Sequence, residues 1–340
     1  MRRDLRELLG PRPLVLAPMA GGPTGAALVA AVAEAGGLGL LPAGYRSAAQ
    51  LAADLEELRA RGVSRFGVNL FVPQGPCPDR QALDAYLDAL RPEAERLGVE
   101  LGEPRHDDDD WEAKLALLLA EPPPLVSFVF GCPPAEVVDA FHQAGCLVVV
   151  TVTRPDEARE AVAAGADGLC AQGLEAGGHR GGTRDDLDGQ LPLLDLLGAL
   201  RGVTDRPLLA AGGLGSAAAI QRAQRAGALA CQCGTAFLLA DEAGTSDAHR
   251  QALQTGRFPT TVLTRAFTGR FARGLANRLA LAGRDAPGCY PEIHHATRPL
   301  RQAAAARGDL EVLHLWAGTA FPLAEARPAG EIVERLCPAG

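Results

Sequence analysis

Short apolar runs recur along the chain, and most are separated by segments with helical spacing. The runs are PLVLAPM (13–19), LGLLPA (38–43), RFGVNLFV (65–72), LVSFVFG (125–131), CLVVVTV (146–152), GLCAQG (168–173), PLLAAGG (207–213) and ALACQCGT (228–235). Each is apolar at consecutive rather than alternate positions, the pattern of a strand covered on both faces. The intervening segments include AALVAAVAEAG, AQLAADLEELRARG, AEVVDAFHQAG, PDEAREAVAAG and SAAAIQRAQRAG. Several end in Ala-Gly or Arg-Gly just before the next run, where a glycine stops a helix by turning left-handed. Eight strands alternating with helices predict an α/β fold with a parallel sheet. The count favours closure into a (β/α)₈ TIM barrel over an open doubly wound sheet. The turn after the first run, APMAGGPTG, also lacks the GxGxxG spacing that a dinucleotide-binding sheet would want.

Two stretches break the repeat. Residues 73–124 separate the third and fourth runs and carry RHDDDDWEAK and EPPP. Residues 243–310 have helical spacing and no strand-like run, which predicts a smaller helical domain following the eighth strand and covering the active site. The barrel is then 1–242, and 311–340 forms a loop and a last helix that pack back on it.

Composition narrows the class. The formal net charge is −8 and no dense Lys/Arg block occurs, so nucleic acid is not an expected partner. The most apolar stretch, Ala26 to Gly44, contains Glu34 and a glycine pair, and reads as helix, turn and buried strand rather than a membrane span. The opening MRRDLRELLG has basic residues without a following apolar region and cleavage site, so a cytoplasmic protein is expected. The eight cysteines have no framework spacing and fall mostly in apolar runs. Reduced, buried thiols are the expectation, and the CxC of Cys231 and Cys233 lacks the partners a zinc site needs. No metal is expected.

A (β/α)₈ barrel places its chemistry at the C-terminal ends of the strands. That rule selects Ala17, Pro18 and Met19 after the first strand, Asn69 in the third, and Gln172 at the end of the sixth. The sixth strand opens into AQGLEAGGHRGG, where His179 stands among glycines that let backbone approach a ligand. The seventh and eighth strands run into AAGGLGS and CQCGTAF, each a strand, a glycine and a helix start. Exposed N–H groups at such turns favour a phosphate, and barrels often hold one there. HDDDD at 106–110 reads as an acidic helix N-terminus. His294 and His295 read as surface residues, Glu175 as a partner or solvated carboxylate, and Arg270, Arg273 and Arg278 as structural pairs.

The segments LAPMAGG, AVAEAGGLG, FGVNLF, KLALLLAEPPPLVSFVFGCP, GLEAGGHRGG, AAGGL, CQCGTAF and TRAFTGRFARGLANRL together resemble the class I nitronate monooxygenases, the former 2-nitropropane dioxygenase family. The resemblance runs from about residue 13 to 336 with the motifs in the same order. It implies an FMN-dependent barrel that oxidises alkyl nitronates, such as propionate 3-nitronate, with dioxygen to carbonyl compounds and nitrite. A homodimer is compatible with it, and nitroalkane detoxification is the role it suggests. It sets FMN against Ala17, Pro18 and Met19, with Asn69 and Gln172 bonding the isoalloxazine or ribityl chain. Gly177 and Gly178 would line the flavin, and Gly212, Gly213, Gln232, Gly234 and Thr235 would hold the phosphate end. His179 corresponds to the active-site histidine, either as an imidazolium binding the nitronate or as a neutral base taking the α-proton of a nitroalkane. The chain departs from the pattern at Cys233 (commonly Met), at Phe271 (Pro in GRPARG) and at Thr319 and Ala320 (Gln-Gly). The competing expectation is an FMN-dependent NAD(P)H:quinone or enoyl-thioester reductase, since EAGGH also occurs in such relatives.

Overall fold

The computed structural model describes residues 4–338; Met1 to Arg3 of the basic opening and the last two residues lie outside it. Eight parallel strands close into a barrel: β1 (Leu14–Leu16), β2 (Leu38–Pro42), β3 (Phe66–Phe71), β4 (Leu125–Val129), β5 (Leu147–Val152), β6 (Gly168–Gln172), β8 (Leu208–Ala211) and β9 (Ala230–Cys233). Each lies inside one of the eight apolar runs. β1 pairs with β2 on one side and β9 on the other, which closes the ring.

Both faces of each strand are buried for different reasons. Val15, Leu38, Leu40, Leu147, Val149 and Leu209 belong to a small cluster that fills the barrel. Their neighbours, such as Leu14, Leu16, Leu41, Val148 and Leu208, join a larger cluster with the surrounding helices. Leu5, Leu8 and Leu9 pack into the inner cluster, and a Cβ at Gly168 would stand 2.8 Å from Leu5. The first helix therefore plugs the barrel at the end where β6 begins, and leaves the strands' C-terminal ends for the site. The glycines expected to stop helices do so: Gly36, Gly62, Gly145, Gly165 and Gly227 all have left-handed φ.

A second hydrophobic core lies over those C-terminal ends, and it corrects the sequence expectation. Residues 243–310 are not purely helical: β10 (Thr261–Thr264) and β11 (Ala272–Leu275) pair antiparallel, and β11 pairs with β7 (Gly178–His179). These strands escaped notice because β10 and β11 hold four residues each, without a continuous apolar run, and β7 holds only two. The same core also takes Leu83, Leu87 and Leu90 from the helix Arg80–Arg96 in the 73–124 stretch. It takes Val312, Leu313, Leu315, Ala317 and Phe321 as well, so of the 311–340 stretch only the last helix packs back on the barrel, and the unit above it extends past residue 310. A second correction concerns the cysteines: Cys77 and Cys289 are joined as a disulfide across a separation of 212 residues. Spacing along the chain carries no information about a contact made that way. Among the described residues no helix is long and apolar enough to cross a membrane.

Candidate active site

Between the barrel and the second core lies a cavity of about 810 Å³. All thirteen residues selected from the sequence line it: Ala17, Pro18, Met19, Asn69, Gln172, Gly177, Gly178, His179, Gly212, Gly213, Gln232, Gly234 and Thr235. Their roles within its wall differ.

His179 is held from three directions. Its backbone lies in β7, opposite Ala272 of β11. Its carbonyl accepts from Gln172 Nε2 at 2.9 Å, and Gln172 Oε1 accepts the N–H of Gly181 at 2.9 Å. Its ring Nε2 lies 2.9 Å from Thr268 Oγ1. The imidazole is walled by Phe130, Tyr290 and Trp316, with ring centroids between 5.5 and 5.9 Å away. It lies deep in the protein yet keeps accessible surface towards the cavity. Burial, and then the nearby guanidiniums of Arg270 and Arg301, lower its pKa to about 3. The ring is therefore neutral, and of its two expected states the imidazolium finds no support here.

Beneath the loop stands Arg180, which sequence reasoning passed over. It is fully buried and donates to Gln190 Oε1 and to the carbonyls of Gln172 and Gly173, at 2.7–2.8 Å. Burial lowers its pKa to about 9. Glu175 acts as a partner, its carboxylate accepting the N–H of Leu193. Phe271, where the resemblance leads one to expect proline, donates its N–H to Asp185 Oδ1 at 2.8 Å, a bond proline could not make. The Arg265 guanidinium covers its ring at 3.9 Å.

Asn69 donates to Ser127 through Nδ2, and among the described residues no donor reaches its Oδ1. At the ends of β8 and β9, Gly212 and Gly213 take left-handed φ, and Thr235 Oγ1 accepts the N–H of Gly318. No carboxylate lines this end of the cavity; the acidic residues on its wall, Asp107 to Asp110, all belong to the stretch after β3. Gly177 is glycine because of its neighbours: a Cβ there would fall 2.4 Å from Gly318 N. A Cβ at Gly178 would meet nothing within 4 Å.

Several wall residues were not anticipated. His294, read as surface, lines the cavity and stacks on Tyr45 with centroids 4.3 Å apart. His295, also read as surface, lines the cavity too and pairs with Asp107 at 2.6 Å. Adjacent helical positions do point apart, but both directions here meet protein. Arg301 lines the cavity, buried, donating to Thr297 Oγ1 and the His294 carbonyl, with no carboxylate partner among the described residues. Its pKa is lowered to about 10 by burial. Arg270 is structural, as expected, bonded to the Arg180 and Gly182 carbonyls and to Gln74 Oε1, with Phe130 below it. Arg273 bonds the Leu174 carbonyl and Arg278 pairs with Glu93.

The described residues include four non-glycine positions with left-handed φ: Tyr45, Asp109, Asp110 and Phe130. All four line the cavity. Conformations that side chains disfavour are thus concentrated on its wall, as at sites where position matters more than local ease. Asp109 shows how one is held: it accepts the Tyr45 N–H at 2.8 Å and pairs with buried Lys114 at 2.7 Å.

Fold and site together define a barrel enzyme whose cavity, at the strands' C-terminal ends, is roofed by a second core. The chain belongs to the nitronate monooxygenase family, whose model matches residues 2–339. It is 40% identical to a nitronate monooxygenase of Pseudomonas aeruginosa over 97% of each chain. Among solved structures it is similar to a nitroalkane oxidase from Streptomyces ansochromogenes, 48% identical with a TM-score of 0.93, covering 96% of this chain and 95% of that one. FabK from Thermotoga maritima shares the fold at 25% identity and a TM-score of 0.71, over 99% of this chain and 95% of that one.

Proposed function

We propose that the protein oxidises alkyl nitronates with dioxygen to a carbonyl compound and nitrite, with FMN held in the cavity. The observation that carries the reading is a neutral histidine and a buried guanidinium with no carboxylate partner among the described residues, both lining one cavity, in a chain of this family. The residues fit the cofactor. Among the described residues, the β8 and β9 ends offer glycine backbone and the Thr235 hydroxyl with no carboxylate to repel a phosphate, Asn69 Oδ1 lacks a donor, and the space beside Gly178 is open. On this reading Gly212, Gly213, Gln232, Gly234 and Thr235 hold the phosphate, while Ala17, Pro18, Met19, Asn69, Gly177 and Gly178 line the flavin. Gln172 acts mainly on the His179 loop. FMN, when bound, supplies the electron acceptor for a substrate that is already a carbanion equivalent.

The protein's own part is charge, position and exclusion of water. Arg301, rather than His179, supplies positive charge for the nitronate. His179 is neutral in the empty cavity; the negative charge that develops on the nitro group as the α-proton leaves offsets the burial and the fields of Arg270 and Arg301 that hold the ring's pKa low, and lets it take that proton. The unit built from residues 243–321 and the helix Arg80–Arg96 serves as the cap.

Purified protein is expected to show flavin absorption, and anaerobic mixing with ethylnitronate is expected to change it. Rapid bleaching by NADH or NADPH would favour the reductase and overturn the proposal. His179→Asn is expected to impair turnover of nitroethane more than of ethylnitronate; if both are unaffected, His179 has no chemical role.

A further inference from the structure

We infer that Thr268 is a positioning residue for His179: its hydroxyl accepts the Nε2–H and leaves the Nδ1 lone pair for the cavity. This rests on the reading of His179 as a neutral base, and adds which of its atoms takes the proton and what decides it.

The inference follows from counting protons on one hydroxyl. Thr268 is 2% exposed, and its Oγ1 has three close partners: His179 Nε2 at 2.9 Å, the Arg270 carbonyl at 3.3 Å and the Arg270 N–H at 3.4 Å. The Arg270 N–H can only donate and the carbonyl can only accept. Threonine has one proton to give, so either the carbonyl or His179 receives it. Among the described residues no other donor reaches the Arg270 carbonyl. Giving the proton to His179 would leave that buried carbonyl bare, which is the costlier arrangement. The proton therefore goes to the carbonyl, and the third contact is Nε2–H donating to Oγ1.

The other ring nitrogen then carries the lone pair. Nδ1 has no protein partner among the described residues, and the ring lines the cavity. Phe130, Tyr290 and Trp316 pack around the imidazole and oppose its turning over. With a neutral nitroalkane, the α-proton passes to Nδ1, the C–H electron pair forms the C=N bond, and the N=O π pair moves onto a nitro oxygen to give the nitronate. The imidazolium so formed keeps its Nε2–H on Thr268, so that bond need not be remade during the transfer. A nitronate brings no such proton, and its turnover depends far less on which nitrogen is protonated.

Two measurements on the holoenzyme test this. The first is imidazole ¹⁵N NMR of protein labelled at histidine, with the His179 signals assigned by their loss in His179→Asn. Nε2 of the wild type is expected to be the protonated, pyrrole-type nitrogen; a pyridine-type Nε2 would overturn the inference without any variant having to fold. The second compares Thr268→Val and Thr268→Ser. The valine variant is expected to lower kcat for nitroethane on the order of 10²-fold while ethylnitronate changes by about twofold, and serine is expected to restore most of the loss. An unchanged ratio of the two activities in a folded valine variant would refute the role of Thr268. It would leave the base role of His179 standing, because that falls only if His179→Asn spares both substrates.

Discussion

Gln172 holds His179 by the backbone: its Nε2 donates to the His179 carbonyl while its Oε1 accepts the N–H of Gly181, both at 2.9 Å. One amide side chain at the end of β6 thus spans three residues of the loop. Gln172→Ala is expected to cost about 1–3 kcal/mol in stability and to lower turnover of nitroethane and ethylnitronate alike, because it frees the loop rather than altering the proton acceptor. Chemical denaturation and steady-state kinetics check this; normal turnover in a destabilised variant would show the clamp to be structural only.

Arg301 lines the cavity with no carboxylate partner among the described residues, its guanidinium bonded to Thr297, His294 and His314, and on the proposed function its uncompensated charge serves an anionic substrate. Arg301→Met is expected to raise the KM for ethylnitronate about 10- to 100-fold, the loss of one charge-assisted hydrogen bond. Nitroethane, which is neutral, should show a smaller change in KM. Equal changes for the two substrates would assign Arg301 to packing against His294.

Gly177 and Gly178 are neighbours that exclude a side chain for different reasons. A Cβ at Gly177 would run into the Ala317–Gly318 backbone, 2.4 Å from Gly318 N. At Gly178 the space is open but φ is +73°. Gly178→Ala is expected to cost about 1–2 kcal/mol for the left-handed backbone alone. Gly177→Ala is expected to cost more, about 1–3 kcal/mol or beyond, because backbone must move. Thermal denaturation of the two variants tests the order.

Five histidines, His179, His249, His294, His295 and His314, are held below the ordinary imidazole value chiefly by burial, His179 to about 3 and His249 to about 4. In the unfolded chain they titrate near about 6.5. Between the folded and unfolded values the unfolded chain binds more protons, so stability rises with pH through that window and is lost on acidification. Asp109 works the other way: burial raises it to about 6, so its contribution is full below about 4 and fades as pH rises through 6. With five groups against one, Tm is expected to fall as pH is lowered from about 7 to about 5. A flat or opposite trend in thermal denaturation would contradict these protonation states.

The eight barrel strands were legible because burial on both faces leaves unbroken apolar runs, and the helix stops were legible because a left-handed turn wants glycine. The thirteen cavity residues followed from the strand ends and the family resemblance. What escaped was whatever depends on contact across the chain. β7 is a strand only because β11 passes beside it. Tyr45 is held by Asp109, 64 residues further on. Thr268, in RAFTGRFARG, gains its meaning from a ring 89 residues earlier. His294 shows the limit most plainly: helical spacing tells that it points away from His295, not which of the two directions is water.

The pairing of Ala272 with His179 also bears on modularity. The strand that fixes His179 belongs to the roof, while the loop that carries it belongs to the barrel. A roof grafted from a relative would bring its own counterparts of Thr268 and Ala272, and so would inherit control of a residue it does not encode. Barrel and roof are therefore expected to diverge as a matched pair, with compensating changes on the two sides of a seam only two residues long.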